Sequence, residues 1–160
     1  MQRFPRLLCN ISAGLALAQS GPDLHAADTS GPAPAGDKLS AARSQIAAKN
    51  WPAAIDELRR ANDSGSADWN NLMGYSLRQA TTPDLAGAEK HYNEALRVDP
   101  AHRGGLEYSG ELYLITGNLA KAEERLAMLD KVCKLPCEEY TDLKKSVARY
   151  KANGNKVVAQ

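Results

Sequence analysis

The sequence predicts an all-α protein assembled from stacked helix–turn–helix repeats, and three observations carry that prediction. Ala54, Ala88 and Ala122 are evenly spaced along the chain. The same interval links Leu58, Tyr92 and Leu126, and again Ala61, Ala95 and Leu129. From Lys38 onward apolar residues recur three and four positions apart, the spacing of one helix face. The shared interval, about 34 residues, is that of a two-helix unit that buries its apolar face only against its neighbours. It points to a solenoid, and to a binding surface more than to a catalyst.

The chain opens on a segment with the features of an export signal. Arg3 and Arg6 supply a positive start. Leu7 to Ala18 is apolar but too short to span a membrane. Small-residue cleavage sites follow at Ala16-Leu17-Ala18 and at Leu24-His25-Ala26-Ala27. Gly21-Pro22, a helix breaker just ahead of the second, favours cleavage near Ala26. Residues 1–27 are therefore expected to be a cleaved signal and the mature protein periplasmic. The competing reading is a cytosolic leader, since Cys9, Asn10 and Ser12 interrupt the apolar run. Residues 28–37 hold Gly and Pro but no large apolar side chain, and are expected to form a disordered linker.

Three repeats are expected, at about 38–65, 66–102 and 103–136. In the first, helix A covers Leu39 to Lys49. Asn50 is placed to cap helix B and Pro52 lies in its first turn, where a missing N–H costs nothing. In the second, Trp69, Leu72, Met73, Ser76 and Leu77 form the inner stripe of helix A. Thr82 is expected to cap helix B and Pro83 to open it. Leu85, Ala88, Tyr92, Ala95 and Leu96 lie along the buried face of that helix. In the third, Leu106, Gly110 and Tyr113 mark helix A. Gly117 suits a left-handed helix end and Asn118 the next N-cap. Gly74 stands further from Ala88 than Gly110 does from Ala122, so the second repeat carries two extra residues in its inner turn. A last helix over 137–152 continues the period through Tyr140, Leu143 and Val147. It has Lys144 where Gly110 stood, the polar outer face of a terminal cap. Residues 153–160 are expected to be a disordered tail.

The run Leu106-x2-Ser109-Gly110-x2-Tyr113…Ala122-x3-Leu126, with Ala88-x3-Tyr92 and Pro100, resembles the tetratricopeptide repeat pattern. More narrowly, Asn71 to Arg78, Glu107 to Leu114 and Cys133-x3-Cys137-Glu138-Glu139-Tyr140 look like small exported tetratricopeptide proteins of proteobacteria. The resemblance covers about residues 39–152 and diverges in the first helix A, with Ala42 in the small position and Gln45 where Tyr is usual. It implies a right-handed all-α superhelix and protein–protein binding in a concave groove lined by the A helices.

On that implication the groove face comprises Leu39, Arg43 and Ile46 in the first repeat, Asn71, Tyr75, Arg78 and Gln79 in the second, and Glu107, Glu111, Leu114 and Ile115 in the third. Arg43 and Arg78 towards one end, and Glu107 and Glu111 towards the other, would orient a bound segment by charge, with Tyr75 and Ile115 as apolar anchors. The alternative is an ordinary solvated helix face. Asn71 can bond a ligand backbone or the end of an adjacent helix.

Removing the signal takes Cys9 and leaves Cys133 and Cys137 around Lys134-Leu135-Pro136, an even pair. A structural disulfide is the expected state in an oxidising compartment. A redox or metal-handling dithiol is the alternative function class, since a thiol at a helix N-terminus has a lowered pKa. His91 and His102 are isolated and expected at the surface. With no nucleophile–base–orienter set and no phosphate-cradling loop, neither an enzyme nor a cofactor or metal is expected.

Lys plus Arg (20) nearly balances Asp plus Glu (19), so no basic field argues for nucleic acid. The expected partner is a protein or short peptide, with no membrane span. Weak self-association through the divergent N-terminal edge is a further expectation.

Overall fold

A computed structural model describes residues 36–135 and 137–157. The expected signal (1–27), residues 28–35 of the expected linker and the last three residues lie outside that range. Among the described residues there are seven α-helices and no strand: α1 (Ser40–Ala47), α2 (Trp51–Ala61), α3 (Ala67–Gln79), α4 (Leu85–Val98), α5 (Arg103–Ile115), α6 (Leu119–Val132) and α7 (Glu138–Ala152). No helix among them is long and apolar enough to cross a membrane.

Local sequence explains where the helices begin and end. Ser66, Asp84, His102 and Asn118 each accept a bond from the backbone N–H three residues on. Each bond satisfies one of the orphan donors at a helix start. Asp84, not Thr82, caps α4, and Pro83 falls outside the helix. The carboxylate is the stronger acceptor. Asn50 occupies the cap position of α2, but its side chain makes no capping bond. α1 is shorter than expected at both ends. Leu39 stands outside it with its backbone N–H held by the Asp37 carboxylate, and Lys49 takes a left-handed φ of 55° that ends the helical path. Gly117 does the same after α5, with φ 78°, a conformation glycine adopts without a Cβ penalty.

Each helix packs on the next, giving the hairpins α1–α2, α3–α4 and α5–α6 followed by α7. The helices α2, α4 and α6 begin at 51, 85 and 119, in a strictly even step, whereas α5 begins two positions late relative to α3. The difference is taken up in turns of five residues after α3 and three after α5.

Between hairpins, α3 meets both α1 and α2, α5 meets both α3 and α4, and α7 meets both α5 and α6. The first helices touch in series, α1 to α3 to α5 to α7, while α2 does not reach α4 and α4 does not reach α6. The odd-numbered helices therefore form one continuous layer of the row.

Small residues permit close approach between helices. A Cβ at Gly110 would fall 2.6 Å from a methyl of Leu143 in α7, and one at Gly74 would fall 2.8 Å from the Tyr92 ring in α4. The evenly spaced alanines Ala54, Ala88 and Ala122 are all fully buried, and Lys144 is exposed.

The core is a chain of clusters between neighbours. Leu39, Ala42, Leu58, Trp69 and Met73 join α1, α2 and α3. Ala88, Tyr92 and Leu112 join α4 to α5. The largest cluster spans α4 to α7 around Leu106, Tyr113, Leu129, Leu143 and Val147. Leu39 is thus core and not groove face.

His91 and His102 are half-buried, not at the open surface, and both tie helices together. The His91 Nδ1–H donates to Asn70 Oδ1 at 3.0 Å, and Asn70 Nδ2 in turn holds the carbonyls of Ser64 and Ser66. Burial, then Lys90 nearby, lowers the His91 pKa. His102 caps α5 through Nδ1, so its Nε2–H donates to Asp68 at 2.8 Å.

Candidate functional site

On the layer of odd-numbered helices a cavity of about 640 Å³ opens between α3, α5 and α7. α3 contributes Tyr75, Arg78 and Gln79, and α5 contributes Tyr108, Glu111, Leu114 and Ile115. α7 supplies Ser146, Arg149 and Tyr150, and the segment after it Lys156 and Val157. The stripe on α5 follows from helix geometry: positions 108, 111 and 115 are spaced three and four apart and share one face.

The rings of Tyr75 and Tyr108 line the cavity, and Trp51 packs on Tyr75 without lining it. Trp51 meets Tyr75 edge-on at 5.8 Å between centroids, and Tyr75 meets Tyr108 at 4.7 Å. The Arg78 guanidinium lies 5.6 Å from the Tyr75 centroid and 5.5 Å from that of Tyr108. Both distances are within cation–π range.

Arg78 is only 7% exposed, and it donates to Glu111 Oε2 at 2.9 Å. A buried charge needs such a partner. The other Glu111 oxygen accepts from the Ser146 hydroxyl at 3.5 Å, and Arg149 donates to that same hydroxyl at 3.4 Å. A polar line thus crosses the floor from α3 to α7. Burial raises the Tyr108 pKa to about 12, so the phenol stays neutral.

Six of the eleven groove residues expected from sequence meet here: Tyr75, Arg78, Gln79, Glu111, Leu114 and Ile115. Five do not, among them Leu39 in the core and Ile46 off the cavity wall. Arg43 is held by Asp68 at 2.7 Å and Asp37 at 3.5 Å, outside the cavity. Asn71 is buried with its amide nitrogen against Gly104, at the start of α5, and its Oδ1 has no partner among the described residues. Glu107 is buried, 9% exposed, and lies off the cavity wall. The expected charge polarity therefore does not survive. Arg43 is neutralised elsewhere, and Arg78 and Glu111, expected at opposite ends, form one ion pair.

Sequence reasoning missed Tyr108, Ser146, Arg149, Tyr150, Lys156 and Val157. One signal was available: Tyr75 to Tyr108 and Arg78 to Glu111 are the same step, the one at which α3 and α5 face each other. The α7 residues carry no comparable signal, because a capping helix has no obvious second role.

Cys133 and Cys137 are joined in a disulfide, with Cα atoms 5.9 Å apart, at the joint between α6 and α7. Among the described residues no group of three or more His, Cys, Asp or Glu side chains is placed to hold a metal ion. No protein-family model matches the chain, and no curated protein shows significant similarity to it.

Proposed function

We propose that this chain is an exported, periplasmic protein of the tetratricopeptide type, a right-handed superhelix of three repeats and a cap. On this reading it acts as a non-enzymatic scaffold that holds a short peptide or helix segment of a partner protein in its inner groove. The observation that carries the proposal is the convergence of Tyr75, Arg78, Glu111, Leu114 and Ile115 on one open cavity of the layer formed by the odd-numbered helices. The cleft, about 640 Å³ with aromatic and aliphatic walls, has the size and make-up of a site that buries one or two anchor side chains. The unbroken series α1, α3, α5 and α7, with α2, α4 and α6 out of contact with one another, supports a row that curves towards that face.

The test is selection of peptides from a random display library by the mature protein and by Ile115→Asp. Ile115 is 42% exposed, so the substitution removes an anchor without opening the core. Peptides enriched on the wild type should be lost from the variant, with unchanged thermal melting. Equal recovery by both proteins would remove the groove from consideration. Export is tested by N-terminal sequencing of the protein recovered from the periplasm of a proteobacterial host, with a mature start near Ala27 expected.

A further inference from the structure

The cavity is not electrically neutral, and its imbalance identifies a ligand chemistry. Among the described residues Glu111 is its one acidic wall residue, and both of its oxygens are engaged, by Arg78 and by Ser146. Two further cations face the cleft, Arg149 and Lys156. Among the described residues neither has a carboxylate within ion-pair distance, and Arg149 meets only the Ser146 hydroxyl.

This placement is built into the chain. After α7 the backbone turns through two left-handed residues, Gly154 at φ 67° and Asn155 at φ 61°. The Asn155 N–H bonds the Tyr150 carbonyl at 2.9 Å, and Asn153 Nδ2 holds the Lys156 carbonyl at 3.2 Å. Those bonds fold the segment back and bring Lys156 and Val157 onto the cavity rim. Next to the two cations stand the apolar surfaces of Ile115, Leu114, Tyr150 and Val157. The acidic side chains gathered around Glu107, namely Glu139 and Asp142, lie off the cavity wall.

We infer that the groove takes an acidic peptide: a segment whose aliphatic or aromatic anchor fills the cleft beside Ile115 while an adjacent Asp or Glu pairs with Arg149 and Lys156. This rests on the groove reading proposed above and adds the charge of the ligand. A guanidinium has several donors in a planar fork that matches a carboxylate. Pairing at the rim acts mainly on encounter rate and selectivity and is screened by salt, whereas the anchor supplies most of the affinity.

The experiment is the same display selection, run on the wild type, on Ile115→Asp and on Arg149→Glu/Lys156→Glu, followed by fluorescence anisotropy with the enriched peptides at low and high salt. Both altered side chains of the double variant are exposed, and circular dichroism checks that it stays folded. The wild type should enrich peptides with Asp or Glu next to a large apolar residue. Their affinity should fall roughly tenfold or more in the double variant and fall again with salt, as expected for a screened ion pair. Enrichment of neutral or basic peptides that Ile115→Asp abolishes would overturn the acidic-ligand inference and leave the groove reading standing. Peptides retained equally by Ile115→Asp, or no enrichment at all, would overturn both. A mass that doubles with concentration, with peptide binding lost in the dimer, would assign the groove to a second copy of the chain and overturn the inference as well.

Discussion

Glu107 is the residue whose environment differs most from what its position on a helix face implied. Burial, then the like charges of Glu111, Asp142 and Glu139, pushes its carboxyl up to about 8. Desolvation and neighbouring carboxylates both disfavour the charged form. A carboxyl raised in the folded state stabilises the fold only while protonated. That contribution is complete below its unfolded value near 4.5 and is lost as pH rises through about 8. The wild type should therefore melt at progressively lower temperature between about pH 5 and pH 9. The cost at the alkaline end is on the order of a few kcal/mol at most, once solvent screening is allowed for. Glu107→Gln keeps the shape and cannot ionise, so its melting temperature should fall less than that of the wild type towards the alkaline end and exceed it there. Parallel pH profiles for the two proteins would show that Glu107 is not the group responsible. The sequence could not reveal this, because a Glu one step from a buried Leu reads as solvated until the packing of α7 is known.

At the scale of elements, α7 has two roles that the repeat period did not distinguish. It closes the core, with Leu143 seated against Gly110 and with Val147 and Tyr150 in the largest cluster. It also forms a wall of the cleft through Ser146, Arg149 and Tyr150. Its attachment to α6 combines the Cys133–Cys137 bridge with the Lys151–Glu123 ion pair.

The bridge closes a very short loop, for which chain-entropy arguments give only about 2 kcal/mol. Cys133→Ser/Cys137→Ser should therefore remain folded and melt a few degrees lower. If α7 also loosens, affinity for a groove-bound peptide should drop several-fold while the melt of α1–α5 is unaffected. Unchanged affinity would show that packing alone fixes the wall. The pairing of Cys133 with Cys137 was legible from their close spacing once Cys9 in the expected signal is set aside, and the helix they anchor was legible from periodicity. The use of that helix as a wall was not, because it depends on how far α7 swings over α5.

For the molecule as a whole, the core is a series of clusters joining neighbours, so stability should vary along the row. α1 has eight residues, one of them fully buried, and meets only α2 and α3. α5 touches α3, α4, α6 and α7. Native-state hydrogen exchange should show the α1 amides opening first and those of α5 last, with α5 protected at least about tenfold more strongly, as expected where contact density differs along one chain. Uniform protection from α1 to α7 would mean a single cooperative core in place of nearest-neighbour coupling.

Residue patterns along the chain were enough to establish the all-helical class, the number of helices from Leu39 onward, the even step of α2, α4 and α6, the extra two residues after α3 and the cysteine pair. Each depends on local rules: helix periodicity, caps, turn residues and parity. Tertiary structure decided which side chains share the cleft. Arg78 and Glu111, read from sequence as opposite poles, form one pair because α3 and α5 lie close enough for a buried guanidinium to need the nearest carboxylate. Lys156 joins Arg149 of α7 at the cavity because the turn at Gly154 and Asn155 folds the chain back, and neither has a carboxylate partner among the described residues. Contact across helices depends on crossing distance and on the path of the chain after each cap, and neither quantity is carried by the spacing of residues along one helix.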